Sequence, residues 1–318
     1  MCCLFGFVNY SGKKNADVNT LVNQLAQEAT VRGVDSTGIA YNKDGKLTVY
    51  KKPLSAYEMQ FKGVENSVCV TGHTRHATQG SHKKNYNNHP FFGTCNNVKF
   101  ALSHNGVLWN DRYLQKQYNI PKNRIETDSY VAVQLLEHFG TLDPDNIKRM
   151  AEAVSGSFSF TILDNTDTLW IVKGDSPLTI VHFPEEKLFV YASTTEILFA
   201  ALSHTDLVYS LASNDFELID IKNGDIMEID KRGKITIHRF HNSNKDSYKY
   251  SWQNYGGGWI DEYDSEEEYL TEEEEYIEDL KTIAKMSGID EEEIDELITA
   301  GFTLEEIEDY IYYTGSYK

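Results

Sequence analysis

A cysteine directly behind the initiator methionine can do chemistry that few other positions allow. The chain opens Met1-Cys2-Cys3-Leu4-Phe5-Gly6-Phe7. Cysteine is small enough for an aminopeptidase to remove Met1. Cys2 would then carry a thiol and a free α-amine on one residue, titrating near ~8.5 and ~8. The amine can accept the thiol's proton directly or through one water, so nucleophile and base come as a unit. The apolar run from Leu4 to Val8 reads as a strand able to bury this end in a core. Alone, the dipeptide is equally an ordinary translation start, because an isolated cysteine is usually inert.

Further polar clusters follow in order. Arg32-Gly33-Val34-Asp35-Ser36-Thr37-Gly38 is a Gly-punctuated turn running into a strand. Gly72-His73-Thr74-Arg75-His76-Ala77-Thr78-Gln79-Gly80 ends another strand in a polar loop. Then come Asn88-His89-Pro90-Phe91, Ser103-His104-Asn105-Gly106, Glu126-Thr127-Asp128-Ser129 and Asp175-Ser176-Pro177-Leu178. The ordered set, across about residues 2–200, resembles the class II glutamine amidotransferases, the glutaminase domains of the N-terminal-nucleophile hydrolases. Three positions depart from that family: Cys3 stands for its Gly, His76 for its Trp and Gln79 for its second His. The expectation there is altered loop gating with the chemistry intact.

The resemblance assigns roles that make chemical sense. Cys2 attacks the side-chain amide carbon of L-glutamine, giving a thioester and ammonia. Asn105 and Gly106 supply the oxyanion donors, each worth roughly 3–4 kcal/mol of barrier. Arg75 clamps the α-carboxylate bidentately, Thr78 lies beside it, and Asp128 pairs the α-ammonium. Arg32 supports the N-terminal strand. Because Arg75 and Asp128 fit the two charges of a free amino acid, glutamine is favoured over another amide. Two other readings are a hydrolase of a different amide and a non-catalytic interaction protein that keeps the fold. No cofactor is implied. The histidines His73, His76, His82, His89 and His104 are dense, but Cys69 is the only thiol nearby, in an apolar strand, and no metal site is expected.

These residues need elements to hold them. Residues 17–31 carry Val18, Leu21, Val22, Leu25 and Ala29 at helical spacing, and 128–139 form a second amphipathic helix. Strands are expected at 47–50, 67–72 and 98–103, with Gly80 to Asn88 as a mobile loop between the last two. From 154 onward short β runs separated by turn signals dominate, with a short helix at 194–202. No internal repeat is present. The expected fold is α+β, a four-layer αββα N-terminal-nucleophile hydrolase sandwich over 2–240 plus a small C-terminal helical module.

Composition supports a boundary. The formal net charge is −19, and from Trp259 to Lys318 there are 22 acidic residues against 3 lysines, so the body is neutral. Residues 241–270 read as a polar, Gly- and Tyr-rich linker. Residues 271–318 hold three starts of capping-box form, Thr271 with Glu274, Asp290 with Glu293 and Thr303 with Glu306, each leading an apolar stripe. They read as an acidic three-helix module, either a docking element for a basic protein or a solubility-enhancing appendage.

Neither nucleic-acid nor membrane binding is expected, since there is no basic stripe and no apolar run of spanning length. Four cysteines without disulfide-like spacing and no signal peptide point to the cytoplasm. No P-loop, Ser-Gly-Gly-x-Asp-Ser motif or sugar-isomerase segment follows the glutaminase motifs. The expectation is therefore that a separate synthase accepts the ammonia.

Overall fold

The computed structural model describes residues 2–12, 18–43, 45–242 and 289–304, together with Ile277, Leu280, Lys281, Ala284, Glu306, Ile307, Tyr310 and Ile311. The chain separates into two units between Gln253 and Asn254.

In the first unit, strand β1 (Cys3–Asn9) is central to a seven-stranded antiparallel sheet. It pairs on one side with β10 (Leu188–Ala192) and on the other with β4 (Cys69–Arg75). Beyond β4 lie β2 (Ser36–Lys43) and β3 (Lys46–Lys52); beyond β10 lie β9 (Thr179–Phe183) and β11 (Glu217–Ile219). A six-stranded sheet runs β13 (Ile235–Arg239), β12 (Asp225–Ile229), β8 (Leu169–Lys173), β7 (Gly156–Asp164), β6 (Val98–Leu108) and β5 (Phe91–Cys95).

Period-two alternation sorts the core into three layers. Cys3, Phe5 and Phe7 cluster with Val18, Leu21 and Leu25 of helix α1 (Val18–Glu28) and with Leu198 and Leu202 of α5 (Thr195–Ser203). Their strand neighbours Leu4 and Val8 point the other way, toward Leu163, Leu169, Ile171 and Met227 of the second sheet. The outer face of that sheet, with Phe100, Leu102, Phe158 and Phe160, packs on α3 (Tyr130–Phe139) and α4 (Pro144–Ala153). The result is helix, sheet, sheet, helix, as expected. A buried hydroxyl chain crosses the inter-sheet layer: Tyr191 donates to Thr71 Oγ1 at 3.0 Å, and Thr71 meets Thr161 at 2.8 Å.

Two local expectations change. The strand expected at 98–103 continues through His104, Asn105 and Gly106 to Leu108, because those buried polar residues stay in register with β7, His104 opposite Phe160 and Gly106 opposite Phe158. The segment expected as a mobile loop, 80–88, is held from both sides. Asn87 and Asn88 are fully buried, and Glu126 accepts from Asn87 Nδ2 at 2.9 Å and from the Lys84 ammonium. The short helices Asp111–Gln117 and Pro144–Ala153 were not read from the sequence; Asp143 caps the second from the position before Pro144, a start signal the sequence does carry.

In the second unit, Leu280, Ala284, Ile289, Ile294, Ile307 and Ile311 bury together. Asp290 caps the helix Glu291–Thr299, and Thr303 and Glu306 form the expected reciprocal cap, with Thr303 N–H donating to Glu306 at 2.8 Å. The linker beyond Asn242, the Thr271–Glu274 start and Ile283 lie outside the described residues. Among the described residues no helix is long and apolar enough to cross a membrane.

Candidate active site

Cys2 immediately precedes β1 and is half-buried at the end of the strand, where β1 meets the last residues of β4. Its thiol donates to the His76 carbonyl at 3.4 Å, and its own carbonyl accepts from Arg32 Nε at 3.0 Å. Burial pushes the thiol up, and the Arg75 guanidinium pulls against that shift. An activating base is therefore needed close by, which a free α-amine on Cys2 would provide.

The 32–38 turn is built to lie on this end of β4. Asp35 N–H donates to the Arg75 carbonyl at 3.0 Å, and Asp35 Oδ2 accepts from Ala77 N–H at 2.7 Å. A Cβ on Gly33 would stand 2.5 Å from the Arg75 carbonyl carbon, so only glycine lets the turn approach. The same Asp35 lies 3.9 Å from His76 Nδ1.

Arg75 is buried, and its hydrogen bonds go to neutral oxygens. Nη1 donates to Asn88 Oδ1 at 2.8 Å, and Nη2 donates to the Gly80 carbonyl at 3.0 Å and to the Gln79 carbonyl. Asp128 is buried too and is likewise held by neutral groups. Leu108 N–H donates to Oδ2 at 2.6 Å and the Ser129 hydroxyl to Oδ1 at 3.4 Å. Burial raises its carboxyl, opposed by those hydrogen bonds and by Arg75. Two opposite charges thus sit in one buried region around Cys2, each oriented by dipoles without being neutralised by an ion pair among the described residues.

The oxyanion candidates sit on β6. Asn105 Nδ2 donates to Ser193 Oγ at 3.3 Å, and that oxygen also accepts Leu4 N–H at 2.8 Å. Gly106 has φ +132, and a Cβ there would be 2.0 Å from the Ser157 carbonyl oxygen. Only glycine fits that strand position, and its N–H is presented by backbone geometry alone. The Asp175-Ser176 turn braces the facing strand: Asp175 accepts Phe158 N–H at 2.8 Å, and Ser176 Oγ meets Ser157 Oγ at 2.8 Å.

Cys2, Arg32, Arg75, Asn105, Gly106 and Asp128 therefore gather at one end of the two sheets, whereas Thr78 is exposed on the loop after β4. Gln79, in place of a histidine, donates from Nε2 to the Glu126 carbonyl at 3.0 Å. Sequence reasoning missed Ser193, Leu108 and Lys51. Lys51 donates to the carbonyls of Asn88 and of Pro90, the latter at 2.9 Å.

Beneath the charged residues lie three buried imidazoles. His73 Nε2 meets the His104 carbonyl at 2.9 Å, the His89 ring lies tilted by 33° against His73 with centroids 4.2 Å apart, and His104 Nδ1 meets Ser129 Oγ at 2.8 Å. Burial lowers His73 to about 3 and His104 to about 4, and holds His89 well below the usual range, so all three are neutral at pH 7. Among the described residues no three His, Cys, Asp or Glu side chains are grouped to hold a metal ion.

Residues 73–200 match the glutamine amidotransferase domain family. That stretch is a glutamine amidotransferase domain. The chain is 34% identical over 194 residues to the glutamine–fructose-6-phosphate aminotransferase (isomerizing) of Streptococcus agalactiae, covering 57% of this chain and 30% of that protein. Against the enzyme of the same description from Staphylococcus aureus, identity is 29% over 245 residues, 74% of this chain and 38% of that one. The chain thus spans about a third of the length of these curated relatives. The glutamine phosphoribosylpyrophosphate amidotransferase of B. subtilis shares the fold, with a TM-score of 0.57 at 23% identity over 76% of this chain and 49% of that chain.

Proposed function

We propose that the amidotransferase domain hydrolyses the side-chain amide of L-glutamine with Cys2 as nucleophile and hands the ammonia to a separate synthase. The observation that carries this reading is the pair of buried, opposite, dipole-held charges, Arg75 and Asp128, beside Cys2. A free α-amino acid brings a carboxylate and an ammonium to complete both. Its side-chain amide then extends toward Cys2 and the Asn105–Gly106 edge.

The chemistry follows from these positions. With Met1 removed, the α-amine of Cys2 takes the thiol proton as Sγ adds to the amide carbon. The carbonyl oxygen becomes an oxyanion facing Asn105 Nδ2 and Gly106 N–H. The ammonium returns the proton to the leaving nitrogen, ammonia departs, and a thioester remains. Water, activated by the same amine, hydrolyses the thioester to glutamate and frees the thiol. Thr78, exposed beside the Gln79 and Gly80 carbonyls that hold Arg75, would flank the carboxylate. The four thiols are free, in keeping with a reducing cytoplasm.

The acidic second unit is the candidate for docking a basic partner, with the ammonia-accepting synthase as the natural occupant. The decisive experiment uses diazo-oxo-norleucine, a glutamine-shaped electrophile, with mass spectrometry of the N-terminal peptide. Processing of Met1 and a single adduct on Cys2, with ammonia released from glutamine by the untreated protein, are expected. An adduct on Cys3, Cys69 or Cys95 overturns the assignment.

A further inference from the structure

Arg75 can grip a carboxylate only if its guanidinium is held in place while its charge stays available, so what holds it matters. One terminal nitrogen leans on the side chain of Asn88. Asn88 in turn donates from Nδ2 to the His82 carbonyl at 2.8 Å, and its backbone leads into the His89–Pro90 bond, which is cis. This segment is not part of either sheet until Phe91, so strand hydrogen bonds do not fix it.

Strand β3 fixes it instead. The Lys51 ammonium donates to the carbonyl oxygens of Asn88 and Pro90, on either side of His89, and lies 5.0 Å from the centre of the Phe91 ring. The Lys51 carbonyl accepts from Asn85 Nδ2 at 2.9 Å, so one residue binds the segment twice. Its partner across β2 is Gly38. A Cβ on Gly38 would stand 2.3 Å from the His89 carbonyl oxygen and 3.0 Å from Pro90 Cδ. Gly38 leaves the slot, and Lys51 closes on what fills it.

Resting on the proposed glutamine reading, we infer that Lys51 is a positioning residue for substrate binding: through Asn88 it holds the Arg75 guanidinium where the α-carboxylate must dock. It touches neither substrate nor Cys2. Arg75 and Lys51 repel each other, and no carboxylate is hydrogen-bonded to either one among the described residues. The groups facing Lys51 are Arg75 and His73 from β4 and His89 from the segment itself. Burial, and then Arg75, bring Lys51 down to about 8. The sign follows: below about 8 the ammonium binds both carbonyls with full charge, and that grip weakens as pH rises through this value.

The test is steady-state glutaminase kinetics from pH 6 to 9.5 on the full-length wild type, Lys51→Met and Lys51→Arg, alongside calorimetric binding of glutamine. Lys51→Met should raise KM about tenfold, the loss of one charge-assisted contact, with kcat changed less than about twofold. Lys51→Arg, which stays charged and can reach both carbonyls, should recover most of the affinity. The rise of KM near pH 8 should be smaller in Lys51→Arg than in the wild type, what remains belonging to the amine and thiol of Cys2. Unchanged KM in Lys51→Met overturns the inference, as does a fall in kcat at constant KM. Should Lys51→Met not fold, Lys51→Gln takes its place, and an unchanged KM there overturns the inference. A wild type that turns over glutamine while the variants match it leaves the proposed function standing. A wild type that neither binds nor hydrolyses glutamine overturns both.

Discussion

The two ends of the candidate site are held in different ways. At the oxyanion end, Asn105 and Gly106 belong to β6, with β7 fixing their backbone on one side and Ser193 fixing the Asn105 side chain. At the α-carboxylate end, Arg75 is the last residue of a strand and hangs by its guanidinium from a loop, on Asn88, Gln79 and Gly80. The first end is preorganised by a ladder, so charge developing there meets donors that need not move. The second is organised by loop carbonyls that can be exchanged for a substrate carboxylate. On the proposed reading, chemistry is placed on the stiff part and recognition on the adjustable part.

This contrast predicts different kinetic signatures. Removing the nucleophile belongs to neither end and sets the scale: Cys2→Ala should lower kcat on the order of 10⁶-fold, read as ammonia release. Asn105→Ala attacks the stiff end and should cost roughly 10²- to 10³-fold in kcat with KM little changed. Arg75→Lys attacks the adjustable end. It keeps charge but loses the fork, so it should raise KM roughly tenfold or more while kcat falls less. If Arg75→Lys instead lowers kcat as much as Asn105→Ala does, the division between the ends is wrong.

A smaller effect distinguishes the imidazole layer from the cations above it. His73 and His104 sit at about 3 and about 4, against about 6.5 in an unfolded chain. The unfolded chain therefore binds the extra protons first. The stability these residues contribute is complete above about pH 6.5 and is lost progressively as pH falls toward 4 and then 3. Denaturant midpoints from pH 8 to 4 should show this slope, and His104→Asn should reduce it. Smallest of all, truncation after Asn242 should leave kcat and KM for glutamine within about twofold, because every candidate site residue precedes it. The truncated chain should also lose any low-salt retention of a basic partner. Full loss of activity on truncation would show that the catalytic unit depends on the acidic one.

Much of this was legible before any coordinates. Cys2, Arg75, Asn105, Gly106 and Asp128, which the structure brings near one another, could be picked out because the roles proposed for them demand particular residue types beside Gly, His or Thr in recognisable runs. The layered fold was legible because Cys3, Phe5 and Phe7 alternate with Leu4 and Val8. What was not legible shares a physical cause. Ser193 lies 189 residues from its partner Leu4, and Lys51 acts on the carbonyls of a segment 37 and 39 residues away. A backbone carbonyl has no residue type, so nothing in the sequence marks it as a partner. The 80–88 segment misled for a related reason: Gly, Ser and Asn mark turns, and here the asparagines face inward and knit the turn together.

Ser193 has a consequence of its own. It follows β10 in the first sheet, takes the N–H of Leu4 two residues beyond the nucleophile, and touches the Asn105 amide in the second sheet. On the proposed reading, one oxygen atom therefore serves as the common datum for both the attacking sulfur and the stabilising amide. A gauge that touches both sheets sets the gap between the two parts that the proposed reaction brings together.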